Sequence, residues 1–230
     1  MQMLRRHGAA AFNRFNGMYA GAFFDPARKR LLLFRDRFGI KPLYYREHGG
    51  DFLFASEIKP LLAASGPAAM RKATLGALFT YRYLPGEETV FAGIRRLPPG
   101  SCLVYDLLTA TYKIERYWEY RFPEVLTKLS WPAAEERFHE LFIDAVRLRL
   151  RSDVEVGSFL SGGVDSSAVA AAAADIQPQL SLFNISFSAS EYNELPQVRD
   201  FMAAGGRRFQ SATLYSRTCS SRPRSRERWC

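Results

Sequence analysis

Ser161-Gly162-Gly163-Val164-Asp165-Ser166-Ser167 stands between an apolar run, Val154 to Leu160, and an alanine-rich segment, Ser166 to Asp175. The flanks predict a buried strand entering a helix, and Leu180 to Phe187 predicts a second buried strand after it. With a helix in front of them, these elements form a βαβ unit, which implies a parallel sheet. Two adjacent glycines let a backbone approach a phosphate closely, and the hydroxyls of Ser161, Ser166 and Ser167 can donate to its oxygens. A helix start adds free N–H groups and a positive dipole end. Asp165 would repel a bare phosphate, so it predicts a cation such as Mg²⁺ between the carboxylate and a nucleotide.

Other glycine-loop chemistries fail letter by letter. Gly157 and Gly162 have Walker spacing, but Gly163-Val164 occupies the places that require Lys and Ser/Thr. The three glycines stand at the wrong offsets for a dinucleotide fingerprint. A hydrolase elbow needs Gly two residues before its Ser, where Phe159 stands. The bland alternative is a tight strand-to-helix turn that binds nothing.

Upstream the pattern changes to short strands divided by turns. Gly17 to Phe24 is apolar on both alternations, as for a strand covered on both faces. Asp25-Pro26-Ala27-Arg28 turns the chain into Arg30 to Arg35, and His48-Gly49-Gly50-Asp51 joins Leu43–Arg46 to Phe52–Ala55. Ser56 is positioned to cap a helix over Glu57 to Ala64, and Thr74 one over Leu75 to Leu84. Ser101–Asp106 and Thr111–Tyr120 predict a hairpin. Ser130, with Pro132 behind it, starts an amphipathic helix carrying Phe138, Leu141, Phe142, Ala145, Val146 and Arg149. The domain boundary falls near Phe122 to Ser130.

Charge narrows the partners. The net charge is +9, but residues 201–230 hold seven arginines against the single acid Glu227, so six of the nine positive charges sit in a Ser/Arg-rich tail that reads as disordered. Strand-binding grooves interleave aromatics with their charge, and this tail has only Phe209, Tyr215 and Trp229, so nucleic acid is not an expected partner. No apolar stretch approaches the roughly 20 residues of a membrane span. Three scattered cysteines, Cys102, Cys219 and Cys230, with no secretory signal, suit a reducing cytoplasm. His7, His48 and His139 stand apart from any carboxylate pattern, and Tyr81, Tyr83, Tyr112, Tyr117 and Trp118 read as core or interface. Arg35 to Tyr45, charged and aromatic, reads as structural.

Residues 8 to 202 resemble the glutamine-hydrolysing asparagine synthetases. The resemblance rests on the Ser161–Ser167 loop, which looks like the pyrophosphate loop of ATP pyrophosphatases, and on four further stretches: Phe15-Asn16-Gly17-Met18-Tyr19-Ala20, Arg35 through Tyr45, Ala55-Ser56-Glu57-Ile58-Lys59 and Leu97-Pro98-Pro99-Gly100. It implies an α+β amidohydrolase of Ntn type, with stacked antiparallel sheets, followed by an α/β parallel-sheet ATP pyrophosphatase domain, both incomplete. Residues 1–125 would be the end of the glutamine amidotransferase domain, 126–204 the start of the synthetase domain, and 205–230 a basic tail. The implied activity is that of a carbon–nitrogen ligase with glutamine as amido donor: aspartate, ATP and glutamine give asparagine, AMP, pyrophosphate and glutamate. Carried over by position, Ser161, Gly162, Gly163, Asp165, Ser166 and Ser167 hold the pyrophosphate and its Mg²⁺, and Leu160 and Ile185 touch the adenosine. The partners implied are these small substrates, with room for a homodimer.

The chain departs from that family at both ends. Met1 is followed by Gln2 where the family exposes a cysteine nucleophile, so no catalytic residue is assigned, and Cys102 lies far downstream on a strand. The match continues through Tyr192, Glu194, Leu195 and Arg199 and ends near Ala203. The change there, inside a predicted helix, is what a reading-frame shift in a GC-rich gene would produce, so an inactive remnant is the expectation. The alternatives are another adenylating amidotransferase, of the β-lactam synthetase or polysaccharide-cluster kind, and a noncatalytic interaction fragment with a basic tail for an acidic partner.

Overall fold

Arg30–Arg35, RLLLFR, has too many consecutive apolar residues for a strand with one wet face, and both of its faces are in fact packed. Leu33 faces a cluster with Leu43, Tyr45, Leu97 and Leu103, and Leu32 faces a second with Leu4, Phe12, Phe23 and Cys102. The structure, a computed structural model, describes residues 2–122, 129–187, 193–209 and 213–219. It divides the chain into two compact units, Met1–Glu124 and Val125–Cys230.

In the first unit β1 (Ala20–Asp25), β2 (Arg30–Arg35), β6 (Ser101–Asp106) and β7 (Thr111–Arg116) form an antiparallel sheet in the order β1-β2-β6-β7. A second antiparallel sheet has β3 (Tyr44–His48) between β4 (Asp51–Ala55) and β5 (Ile94–Arg96). Side chains of both sheets meet in the cluster around Leu33, Tyr45 and Leu103, where the Phe52 and Tyr105 rings stack at 4.4 Å. The helix α1 (Gln2–His7) and a 3-10 turn, Gly8–Arg14, bring Leu4, Ala11 and Phe12 to the other face of the first sheet. Helices α2 (Ile58–Ser65) and α3 (Leu75–Tyr81) complete the unit.

The second unit holds α4 (Trp131–Arg149), β8 (Gly157–Phe159), α5 (Val164–Ile176), β9 (Ser181–Phe187), α6 (Leu195–Ala204) and β10 (Thr213–Cys219). Its sheet is parallel, in the order β10-β9-β8. The core lies on one face of that sheet: Leu182 of β9, Leu160 and Leu180 pack with Val146 of α4, Ala170, Ala172, Ala173 and Ala174 of α5, and Val198 of α6.

Several expectations are corrected. β9 is not buried on both faces: Leu182, Asn184 and Ser186 point inward, while Phe183, Ile185 and Phe187 are 41–56% exposed. Val154–Leu160 shrinks to a three-residue strand with Val154 and Phe159 each 76% exposed, because apolar composition alone does not say that a covering layer exists. Phe24 of β1 is likewise half exposed. In α4 Phe138 and Leu141 face outward and only the C-terminal half meets the core. Neither Ser56 nor Ser130 makes a capping hydrogen bond; Glu57 is the N-cap of α2, and Ser130 caps α4 by position alone. Of the residues read as core or interface, Tyr81 and Tyr83 are exposed and so are not core. The segment read as a disordered tail contributes β10, which pairs with β9 along its whole length, so β-forming Thr213, Leu214, Tyr215 and Thr218 outweigh the basic composition there. Arg222, Arg224, Arg226 and Arg228 lie outside the described residues, as does Tyr192. Among the described residues no helix is long and apolar enough to cross a membrane.

Candidate functional site

Leu160 is the last residue that the sheet holds before the glycine loop. Its N–H donates to the Phe183 carbonyl at 2.9 Å, and its own carbonyl accepts from Asn184 Nδ2 at 2.9 Å. The chain then turns through Ser161 and Gly162 into α5, whose N-cap is Gly163. Gly162 has φ +82°, a left-handed conformation, and a Cβ there would lie 3.1 Å from Gln197 Cβ of α6. The fold itself therefore requires glycine at 162.

Gly163 is different. Its φ of −74° and ψ of 160° suit any residue, and a Cβ there would meet only Ser161 Oγ, at 3.7 Å. No side chain caps the helix, and the first amides of any helix lack intrahelical acceptors. The start of α5 thus presents free donors beside a residue whose missing side chain the protein does not need for itself.

Three serines shape the turn. Ser166 Oγ donates to the Gly163 carbonyl at 3.1 Å, accepts from Ser161 N at 3.2 Å and lies 3.0 Å from Ser161 Oγ. Ser161 is exposed and Ser166 half-buried, so a ligand can reach this hydroxyl pair, whereas Ser167 is buried and its N–H closes the first helical bond to Gly163. Asp165 is exposed in the first turn of α5. Among the described residues no three His, Cys, Asp or Glu side chains gather into a metal cage. A single outward carboxylate suits a hard cation that takes its other ligands from phosphate oxygens and water.

The two adenosine candidates are on opposite faces of the sheet. Leu160 is 1% exposed within the core, with both backbone polar groups engaged, and Ile185 is 56% exposed on the open face. Asn184, which no sequence motif marks, connects β9 to the loop, and its only signal was an amide side chain among the apolar residues and serines of Leu180–Phe187.

The first unit presents no comparable opening at Arg35–Tyr45. Asp36, 1% exposed, accepts from the backbone amides of Tyr19, Phe38, Ile40 and Lys41, and Arg35 donates to the carbonyls of Gly39, Lys41 and Leu97. Burial holds the Arg35 pKa below its ordinary value. Cys102 is fully buried in β6, and burial, with Glu115 adding to it, pushes its thiol up to about 12, which suits packing and not attack. His7, His48 and His139 are exposed.

Residues 1–118 match the glutamine amidotransferase domain family, and residues 137–214 match the asparagine synthase family, so the second match runs on beyond Ala203. Asparagine synthetase [glutamine-hydrolyzing] 1 of Bacillus subtilis is 31% identical over 202 residues, covering 88% of this chain and 32% of that protein. Asparagine synthetase [glutamine-hydrolyzing] 2 of the same organism is 37% identical over 201 residues, 81% of this chain and 26% of that one. The amidase chyE of Penicillium rubens is 32% identical over 182 residues, 77% and 26% of the two chains. The chain thus spans about a third or less of the length of these relatives.

Proposed function

Because the chain belongs to the glutamine-hydrolysing asparagine synthetases, with their amidotransferase domain and the start of their synthase domain, we propose that Ser161–Ser167 holds the pyrophosphate of ATP in amide synthesis. The reaction of the whole protein is then aspartate, ATP, glutamine and water to asparagine, AMP, pyrophosphate and glutamate. The amidotransferase half is an amidohydrolase of stacked antiparallel sheets that releases ammonia. The synthase half is an ATP pyrophosphatase domain in which the aspartate side chain becomes an acyl adenylate, and ammonia displaces AMP from it.

The observation that carries this reading is Gly163: an ordinary backbone, open space around it, and uncapped amides beside it. A phosphate oxygen there is held by N–H groups and the helix dipole. Ser161 donates its hydroxyl proton to the same oxygens, Ser166, whose own proton goes to the Gly163 carbonyl, holds the Ser161 amide in place, and Gly162 turns the chain tightly enough to aim the donors at one point. Asp165 would hold Mg²⁺, which when bound neutralises charge on the phosphates. Ile185 offers an apolar surface to the base.

Isothermal titration of the chain with Mg·ATP and with pyrophosphate tests this. Gly163→Val is the clean variant, since its backbone accepts a side chain; Gly162→Val would damage the fold as well. The expected outcome is that Gly163→Val loses both ligands and Asp165→Asn loses more affinity for Mg·ATP than for free pyrophosphate. Equal ATP affinity in wild type and Gly163→Val overturns the reading.

A further inference from the structure

We infer that Asn184 is a positioning residue for the phosphate loop, acting through the Leu160 carbonyl without touching the nucleotide. The inference rests on the pyrophosphate reading of Ser161–Ser167. Asn184 is 4% exposed on the inner face of β9, two residues from Leu182, which is fully buried in the core. A primary amide in such a place is costly unless its hydrogens find acceptors, so the choice of Asn over an aliphatic residue calls for a use. Its Nδ2 supplies one, donating to Leu160 O at 2.9 Å at the point where the chain leaves the sheet.

From there a line of hydrogen bonds crosses the loop. Leu160 N–H is fixed to Phe183 O, and the carbonyl of the next peptide, Leu160–Ser161, is fixed to Asn184, so β9 holds the residue that opens the loop on both sides. The next amide, Ser161 N–H, donates to Ser166 Oγ, and that hydroxyl donates to Gly163 O, the carbonyl that begins α5. Each group is a neighbour of the last in sequence or by a bond. Tilting the Leu160–Ser161 peptide would therefore move the Ser161 and Ser166 hydroxyls and the α5 amides relative to one another, and a phosphate needs them convergent. Asp at 184 keeps the shape of the side chain but, ionised, can only accept, so it would face the Leu160 carbonyl with a second oxygen.

The test uses the full chain with Asn184→Leu and Asn184→Asp, and Leu182→Ala as a comparator that weakens the same strand without a bond to the loop. Three quantities are read: melting temperature, Mg·pyrophosphate affinity by titration calorimetry, and amide resonances of Ser161, Gly162 and Gly163. Loss of one such hydrogen bond should weaken Mg·pyrophosphate about tenfold in Asn184→Leu, and more in Asn184→Asp, with the loop amides displaced. Leu182→Ala should melt earlier while keeping its affinity within about twofold of wild type. Affinity that falls in step with melting in both positions, or loop resonances in Asn184→Leu that match wild type, overturns the inference. Should the wild-type chain bind no Mg·pyrophosphate, the functional reading fails, and the loop resonances decide the positioning role alone: displaced amides sustain it and unchanged ones overturn it.

Discussion

The loops at Arg35–Lys41 and Ser161–Ser167 both leave a strand, both contain glycine beside charge, and both carry conspicuous sequence patterns, yet they dispose of their polar groups in opposite ways. In the first, one carboxylate absorbs four backbone amides and one guanidinium reaches three backbone carbonyls, so the loop consumes its own charge. In the second, three serine contacts shape the turn and the helix start is left uncapped. Conspicuous charge is thus no guide to a site. What separates structure from function is whether the donors and acceptors are answered within the chain.

The comparison breaks most visibly at Asp36. Replacing it by Ala leaves four backbone amides without the buried carboxylate that accepts from them, and a loss of about 3 kcal/mol is expected, seen as unfolding of the first unit in chemical denaturation. Asn keeps one oxygen and should fall between Ala and wild type. If Asp36→Ala melts like wild type, the loop does not depend on this carboxylate to satisfy its amides.

A matched pair of glycine variants sharpens the contrast. Gly39 has φ +64°, and a Cβ there would come within 2.9 Å of the Arg35 guanidinium carbon and 3.0 Å of Pro99, so Gly39→Ala should cost about 2 kcal/mol. Gly163→Val should cost about 1 kcal/mol or less, the price of a poorer N-cap, while abolishing pyrophosphate binding. The reverse ranking in thermal denaturation would mean that the two loops have been assigned the wrong roles.

Much of this was legible in sequence, and the failures share a cause. β2 and β6 have the boundaries that alternation and turn residues predict, because Asp25, through its Ala27 and Arg28 amide contacts, and Asp106, through those of Leu108 and Thr109, set turns within a few residues. The strand-to-helix placement of Ser161–Ser167 was readable for the same reason: glycine, serine and the start of an alanine-rich helix are local signals. Exposure of Phe159, Phe183 and Ile185 was not, since an apolar strand reads the same whether or not a second layer covers it. β5 is three residues held in register by Tyr44, Tyr45 and Arg46 of β3, a pairing no local pattern announces. Asn184 was missed because its partner, Leu160, is 24 residues away.

The thiol of Cys102 gives a smaller and pH-dependent handle on the closed unit. Its folded pKa is raised from the ordinary 9.0 to about 12 by burial, so the neutral thiol is favoured in the native state. The stability it contributes is complete below pH 9 and is lost as pH rises toward 12, with about 1 kcal/mol gone by pH 10. Tyr45 and Tyr117 are shifted upward by burial too and act in the same direction at higher pH. Cys102→Ala should flatten the alkaline limb of the stability curve; a limb of unchanged slope would place the titrating group elsewhere. The same burial predicts that Cys102 does not react with a thiol reagent until the first unit opens.

The smallest stability change is expected at Ile185, and for that reason it isolates the ligand. The side chain projects from the open face of β9, 56% exposed, so Ile185→Ser removes little buried area and should leave melting within about 0.5 kcal/mol of wild type. Leu182→Ser, three residues earlier on the inner face, should cost several times more, about 3 kcal/mol, because it trades a fully buried leucine for a hydroxyl in the core. If the open face receives the base of ATP, Ile185→Ser weakens Mg·ATP while Mg·pyrophosphate, which lacks a base, binds as before. A parallel loss of both would locate Ile185 within the structure of the loop and not beneath the base. Equal binding of both in mutant and wild type would move the base to the other face, where Leu160 and the α5 helix lie, and would leave the exposed row of Phe183, Ile185 and Phe187 without a part in nucleotide recognition.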